Sequence, residues 1–196
     1  KVHTNQMRIA TNSSKIDITK ENKTASLAKI FSTFLNEGDV ILLYGEIGVG
    51  KTTFVRYLIN YLQKRSKKSI SEVTSPTFNI MNEYQVKNLI INHFDLFRIE
   101  KTKDLQNTGL FNEYKGKLTL VEWPEKITSK PQHRYELFFE YNKSTNKRFL
   151  KIKKIIFNVE IKENLGKNRY TKIKGDASFR TFLRKSKDKK SSIIVF

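Results

Sequence analysis

Three features of the sequence predict an α/β fold with a mainly parallel central sheet flanked by helices. Short apolar runs of strand character alternate with amphipathic helical stretches through the first half of the chain. The apolar run Val40 to Tyr44 leads straight into Gly45-Glu46-Ile47-Gly48-Val49-Gly50-Lys51-Thr52, a complete GxxxxGK[ST] pattern between a strand and a helix. Towards the C-terminus, Tyr135 to Tyr141 and Phe149 to Lys153 flank the polar stretch Asn142 to Lys147 and read as an antiparallel hairpin.

The elements follow in order. Lys1 to Ser14 is polar and without periodicity, so it is expected to be poorly ordered, and from a first residue other than Met the true start is expected elsewhere, with Met7 a candidate. Lys15 to Ile18 reads as a short strand. Thr24 can cap a helix in which Leu27, Ile30, Phe31 and Phe34 recur at helical spacing, ending near Gly38. After the strand Val40 to Tyr44 and the glycine-rich loop, Phe54, Val55, Leu58, Ile59 and Leu62 mark one face of a helix from Thr52 to Lys64, closed by a basic polar stretch. Phe78 to Gln85 and Leu89 to Asp95 read as strands around a turn at Lys87-Asn88, and Leu118 to Glu122 as a buried strand. Lys103 to Tyr114 has helical character. Ile155 to Ile161 alternates into a further strand beyond the hairpin.

The 196 residues suit one α/β domain with a sizeable core and a tail. No apolar run is long enough to span a bilayer, and the N-terminus lacks the apolar stretch of a secretory signal. Cysteine is absent, which excludes thiol chemistry and disulfides and fits a cytoplasmic location. The net charge of +19 invites a nucleic-acid partner. That charge is mostly Lys in a chain also rich in Asn and Ile, a bias that AT-rich coding produces without regard to function, so a merely solvated basic surface stands beside the nucleic-acid reading.

The glycine-rich loop predicts nucleoside triphosphate binding. Phosphate oxygens need several convergent backbone N–H donors, a Gly-rich turn lets the main chain approach them, and the following helix adds its positive N-terminal end. In this reading the N–H groups of Gly48 to Thr53 form the cradle, and Gly45, Glu46, Gly48, Val49, Gly50, Lys51, Thr52 and Thr53 are the nucleotide-binding candidates. Lys51 neutralises phosphate oxygens, and the Thr52 hydroxyl holds Mg²⁺. Asp95 and Glu122 each close an apolar strand, so in a parallel sheet both carboxylates face the edge where the metal sits. Glu122 can orient water, and Trp123 follows it. Ser75-Pro76-Thr77 reads either as a segment that senses the γ-phosphate through the Thr77 hydroxyl or as a plain β-turn. His93 reads as a packed or hydrogen-bonded imidazole rather than a catalytic one, and the three His have no metal-ligand spacing.

The blocks GDVILLYGEIGVGKTTFVR, VTSPTFNIMNEY, HFDLFRI, GLFNEY and LVEWPEKI together resemble, in order and spacing, the TsaE (YjeE) family of small bacterial ATPases in tRNA threonylcarbamoyladenosine (t6A) biosynthesis. The resemblance covers about residues 15 to 160. It implies a P-loop NTPase that binds ATP and Mg²⁺, hydrolyses ATP slowly by itself, and supports a transferase complex of TsaD- and TsaB-type partners acting on tRNA. The family's functional positions match Lys51, Thr52, Asp95, Glu122 and Trp123, with Thr24 and Thr77 as further nucleotide contacts. On this basis Lys51, Asp95 and Glu122 are the catalytic candidates, and Thr52, Asp95 and Glu122 the metal candidates. Phe97 stands where the family usually has Tyr, Ile47 replaces Leu, and Tyr57 replaces a common Gly; none is a proposed catalytic atom.

Other readings of the same residues are a non-catalytic nucleotide-binding regulatory module and a P-loop phosphotransferase, the latter disfavoured because no Arg-rich lid is evident. A GTPase is disfavoured because no NKxD motif follows the loop. The domain boundaries expected are 1–14 for the N-terminal stretch, 15–161 for the ATPase unit and 162–196 for a basic tail. In the tail, Tyr170-Thr171-Lys172-Ile173-Lys174-Gly175-Asp176-Ala177-Ser178-Phe179-Arg180 and the later Ser192 to Phe196 resemble the opening of an aminoglycoside-phosphotransferase-like kinase, without that family's downstream aspartates.

Overall fold

In a strand with both faces buried, neighbouring side chains feed two different cores, and Val40–Tyr44 (β2) does this. Ile41 and Leu43 enter one apolar cluster, while Val40 and Leu42 enter another on the opposite face of the sheet. The computed structural model describes residues 15–100, 102–108, 110, 116–131 and 133–155, together with the backbone of three strands between 169 and 195.

A seven-stranded sheet is built from β2 with Ile16–Asp17 (β1), Met81–Val86 (β3), Leu89–Asp95 (β4), Lys117–Glu122 (β5), Arg134–Asn142 (β6) and Lys147–Ile155 (β7), in the order β1-β7-β6-β2-β5-β4-β3. The four inner strands β6, β2, β5 and β4 are mutually parallel. Antiparallel strands complete both edges: β7 and β1 on one side, as expected for the C-terminal hairpin, and β3 on the other. Helices Glu21–Phe31 (α1) and Lys51–Arg65 (α2) pack on one face. The other face is covered by a segment holding Leu96, Ile99, Leu105, Leu110 and Ile127.

Between α2 and the sheet, Phe54 is fully buried and its ring meets Phe31 edge-on at 5.4 Å and Phe139 at 6.1 Å. Truncation here leaves a cavity that the two remaining rigid rings, Phe31 and Phe139, cannot collapse to fill. Phe54→Ala is therefore expected to lower stability by about 3–5 kcal/mol, read as a lower urea midpoint with an unchanged slope.

Several boundaries differ from the sequence expectation. Helix α1 starts at Glu21 with Lys20 at its N-cap, so Thr24 is not the cap. It lies inside the helix and is buried, and Glu21 places a carboxylate in the first turn, where the helix dipole favours it. Strand β3 starts at Met81 rather than Phe78, because Thr77 to Ile80 turns: the Ile80 N–H donates to the Pro76 carbonyl at 2.5 Å, and Ile80 has φ +65°. The helical stretch foreseen from Lys103 is a 3₁₀ helix, Thr102–Thr108, and 111–115 lie outside the described residues. Ile155 ends β7, and the expected continuation to Ile161 lies outside the described residues, as do 1–14. In the tail, Arg169–Ile173 (β8), Phe182–Lys187 (β9) and Lys190–Val195 (β10) form a separate three-stranded antiparallel sheet, while 174–181 lie outside the described residues.

Candidate nucleotide site

The parallel core sends the C-terminal ends of β2, β4 and β5 to one edge of the sheet, where ligands of open α/β folds bind. Register sets the chemistry there: Glu122 lies opposite Leu43 on β2 and opposite Asp95 on β4. The two carboxylates proposed from sequence are thus cross-strand neighbours at the mouth of the loop that follows β2.

That loop depends on backbone freedom at two points. Gly50 holds φ +113° directly before α2, a conformation that L side chains rarely adopt. Gly45 holds φ +138°, and a Cβ there would lie 2.6 Å from the Phe139 carbonyl oxygen on β6. Gly45→Ala therefore combines backbone strain with a backbone clash that no side-chain rotation relieves. Its expected cost is about 3 kcal/mol or more, seen as a fall in the thermal midpoint, whereas Gly38→Ala in open space should cost less.

The loop, the start of α2 and the strand ends enclose a cleft of about 370 Å³ lined by Gly48, Gly50, Lys51, Thr52, Thr53, Thr77, Asp95, Glu122 and Trp123, and also by Ile47, Ser75 and Phe97. Gly45 and Glu46 line an adjoining recess with Ile47, Trp123 and Glu125. Val49 turns its side chain into the core and offers the site only main chain. Thr24 does not line the cleft.

Three charged side chains that are almost never buried without cause are buried together: Lys51, Asp95 and Glu122 are 4%, 3% and 2% exposed. The Lys51 ammonium donates to the Gly45 and Glu46 carbonyls at 2.6 and 2.9 Å and lies 3.9 Å from the centre of the Trp123 ring. Burial pulls its pKa below the ordinary lysine value, and the Glu122, Asp95 and Glu125 carboxylates pull it back up. The Thr52 hydroxyl is 2.8 and 3.0 Å from the two Glu122 oxygens. Asp95 accepts from the Ser75 and Thr77 hydroxyls on one oxygen, both at 2.6 Å, and from the Phe97 N–H on the other at 2.9 Å. Ser75-Pro76-Thr77 is therefore tied to a strand-end carboxylate, which a free-standing β-turn would not be. Beneath these, His93 Nε2 lies 2.9 Å from Glu122 Oε1 in a fully buried position.

The donor set fits a hard cation: a hydroxyl and two carboxylates, all oxygen, gather at one edge. Among the described residues no three His, Asp or Glu side chains could hold a metal ion on their own. Mg²⁺ takes one or two carboxylates and completes its shell with water and phosphate oxygens.

Sequence reasoning missed Ser75 as a ligand of Asp95, the Ile47 and Phe97 rim, and the His93–Glu122 contact. Ser75 had a signal, a second hydroxyl two residues before Thr77. Ile47 and Phe97 had none, because their exposure of 71% and 47% reflects the loop geometry rather than a pattern in the sequence.

A parallel sheet whose central strand runs through a glycine-rich loop into a helix beginning at a buried lysine, with carboxylates on the adjacent strand ends, defines a P-loop NTPase-like α/β protein. The family model for threonylcarbamoyl adenosine biosynthesis protein TsaE matches residues 18–150, and the chain belongs to the TsaE family. It is 36% identical over 110 residues to the tRNA threonylcarbamoyladenosine biosynthesis protein TsaE of Rickettsia bellii, covering 56% of this chain and 74% of that protein. The Rickettsia conorii protein of the same name is 34% identical over 110 residues, and there the match spans 61% of the relative's length. The Bacillus subtilis TsaE is 35% identical over 118 residues, covering 59% of this chain and 70% of the relative. The crystal structure of Bacillus subtilis YdiB superposes with a TM-score of 0.58 at 25% identity, covering 77% of this chain and 90% of that one. Among the described residues no helix is long and apolar enough to cross a membrane.

Proposed function

We propose that this chain binds ATP with Mg²⁺ and hydrolyses it as a component of tRNA t6A biosynthesis, supporting turnover of a transferase complex formed by TsaD- and TsaB-type proteins. The observation that carries the reading is the convergence of buried Lys51, Asp95 and Glu122 with the Thr52 hydroxyl at the C-terminal edge of the parallel sheet. Buried charges are costly, and their gathering at one cleft supports a phosphate or metal task for each.

In this reading the N–H groups from Gly48 to Thr53 hold the phosphates, and Lys51 turns its ammonium from the Gly45 and Glu46 carbonyls to the phosphate oxygens. Thr52, with Asp95 and Glu122, would hold Mg²⁺, which supplies neutralisation of the charge on the β- and γ-phosphate oxygens. Glu122 orients the attacking water and takes its proton. Ser75 and Thr77 couple the polar loop before β3 to Asp95, so a change in the metal environment is felt there. Ile47 and Phe97, exposed on the cleft rim, would give a partner protein apolar surface.

The test is reconstitution: the full chain, TsaD- and TsaB-type proteins, tRNA, ATP and a preformed activated threonylcarbamoyl donor. Multiple-turnover t6A formation should depend on this chain and on ATP hydrolysis. Equal t6A yield without the chain rejects the assignment. Retained stimulation with a non-hydrolysable ATP analogue replaces hydrolysis by a regulatory, nucleotide-binding role. Direct tRNA contact would show as binding that falls steeply with salt.

A further inference from the structure

We infer that His93 is the positioning residue for Glu122: its imidazole holds Oε1 from the interior and so fixes the carboxylate's orientation towards the cleft. The inference rests on the hydrolytic reading of Glu122 and adds to it a residue that touches neither phosphate nor metal.

Glu122 is held from two sides, by the Thr52 hydroxyl from the cleft and by His93 Nε2 from the interior. These supports differ in permanence. The Thr52 hydroxyl is also the proposed metal ligand, and on taking that role it no longer orients the carboxylate. His93 then remains as the hydrogen-bond donor behind Oε1. Its own position is over-determined: it lies in the middle of β4, opposite Leu120 on β5 and Asn82 on β3, and is 0% exposed.

The chemistry of the imidazole agrees with this assignment. A contact of 2.9 Å to a carboxylate oxygen requires a proton on Nε2. Nδ1 is buried with no hydrogen-bond partner among the described residues, so the imidazole is anchored there through its Glu122 contact. Burying a ring with one nitrogen unmatched costs stability, and what the position holds in return is the contact to the buried Glu122 carboxylate. Partners of this kind orient the groups they contact and commonly affect activity by about 10–100-fold when removed.

The test compares His93→Leu with His93→Gln in the full chain together with its TsaD- and TsaB-type partners. His93→Leu should lower kcat by about 10–100-fold while KM and the nucleotide Kd stay within about twofold. The amide of His93→Gln can donate to Glu122 Oε1 and should recover most of the lost kcat. Unchanged kcat in His93→Leu, with Glu122→Gln inactive, overturns the positioning role and leaves the hydrolytic reading intact. Unchanged kcat in both His93→Leu and Glu122→Gln defeats the hydrolytic reading itself. Parallel losses of kcat and affinity in both His93 variants, tracking their thermal stability, reduce His93 to a packing role. If His93→Leu does not fold, proton NMR decides: a downfield, exchange-protected imidazole N–H should be present in the wild type and lost in Glu122→Ala. Its persistence in Glu122→Ala overturns the inference.

Discussion

Lys51→Ala should weaken nucleotide binding by about 100-fold or more, the loss of one charge-assisted contact of roughly 3 kcal/mol. The side chain is 4% exposed and already partly desolvated, so little further cost arises when its ammonium meets a phosphate. In the wild type it is held by two loop carbonyls and by the Trp123 ring, and exchanging these for phosphate oxygens replaces neutral acceptors with charged ones. Calorimetric titration with ATP and Mg²⁺ measures the loss. Trp123, the chain's only tryptophan, lies against the ammonium and offers a second, fluorescence reading in the wild type. A Lys51→Ala affinity within threefold of the wild type would separate the loop from phosphate binding.

Glu122→Gln is expected to leave ATP affinity within a few-fold and to reduce hydrolysis by about 10²–10⁴-fold, the range for a positioned general base. The substitution keeps the volume and can still accept from His93 and meet the Thr52 hydroxyl, so the packing survives while the negative charge is removed. Asp95 is not expected to take over, because it is given to the metal and is tied to Ser75, Thr77 and the Phe97 N–H. An intact affinity with lost turnover separates the two roles that Lys51 and Glu122 play in one cleft.

Much of this site was legible in the sequence because it lies where strands end. The strand–loop–helix from Val40 to Arg65 has a continuous apolar run, a glycine-rich turn and a 3.6-residue repeat in direct succession, and each formed as expected. Asp95 and Glu122 were readable as the last residues of apolar strands. That they are opposed in register depends on β4 and β5 pairing side by side in parallel, a non-local fact that no local pattern encodes. Thr24 shows the opposite failure. A threonine before an apolar repeat is a fair capping signal, but burial of Leu27, Ala28 and Phe31 against the sheet extends the helix back to Glu21. The early start assigned to β3 at Phe78 failed for a similar reason: the hydroxyls of Ser75 and Thr77 anchor that segment to Asp95 and bend it before the strand begins. His93 is the subtlest case. The expectation of a hydrogen-bonded imidazole was sound, and only the sheet register could say that its partner is Glu122.

The most direct test of the account is phosphate release from ATP by the full chain in Mg²⁺ buffer, alone and with its TsaD- and TsaB-type partners, for wild type and Glu122→Gln side by side. The account predicts slow release by the wild type alone, faster release with the partners, and background release by Glu122→Gln under both conditions. Equal rates for wild type and Glu122→Gln with the partners present would contradict it.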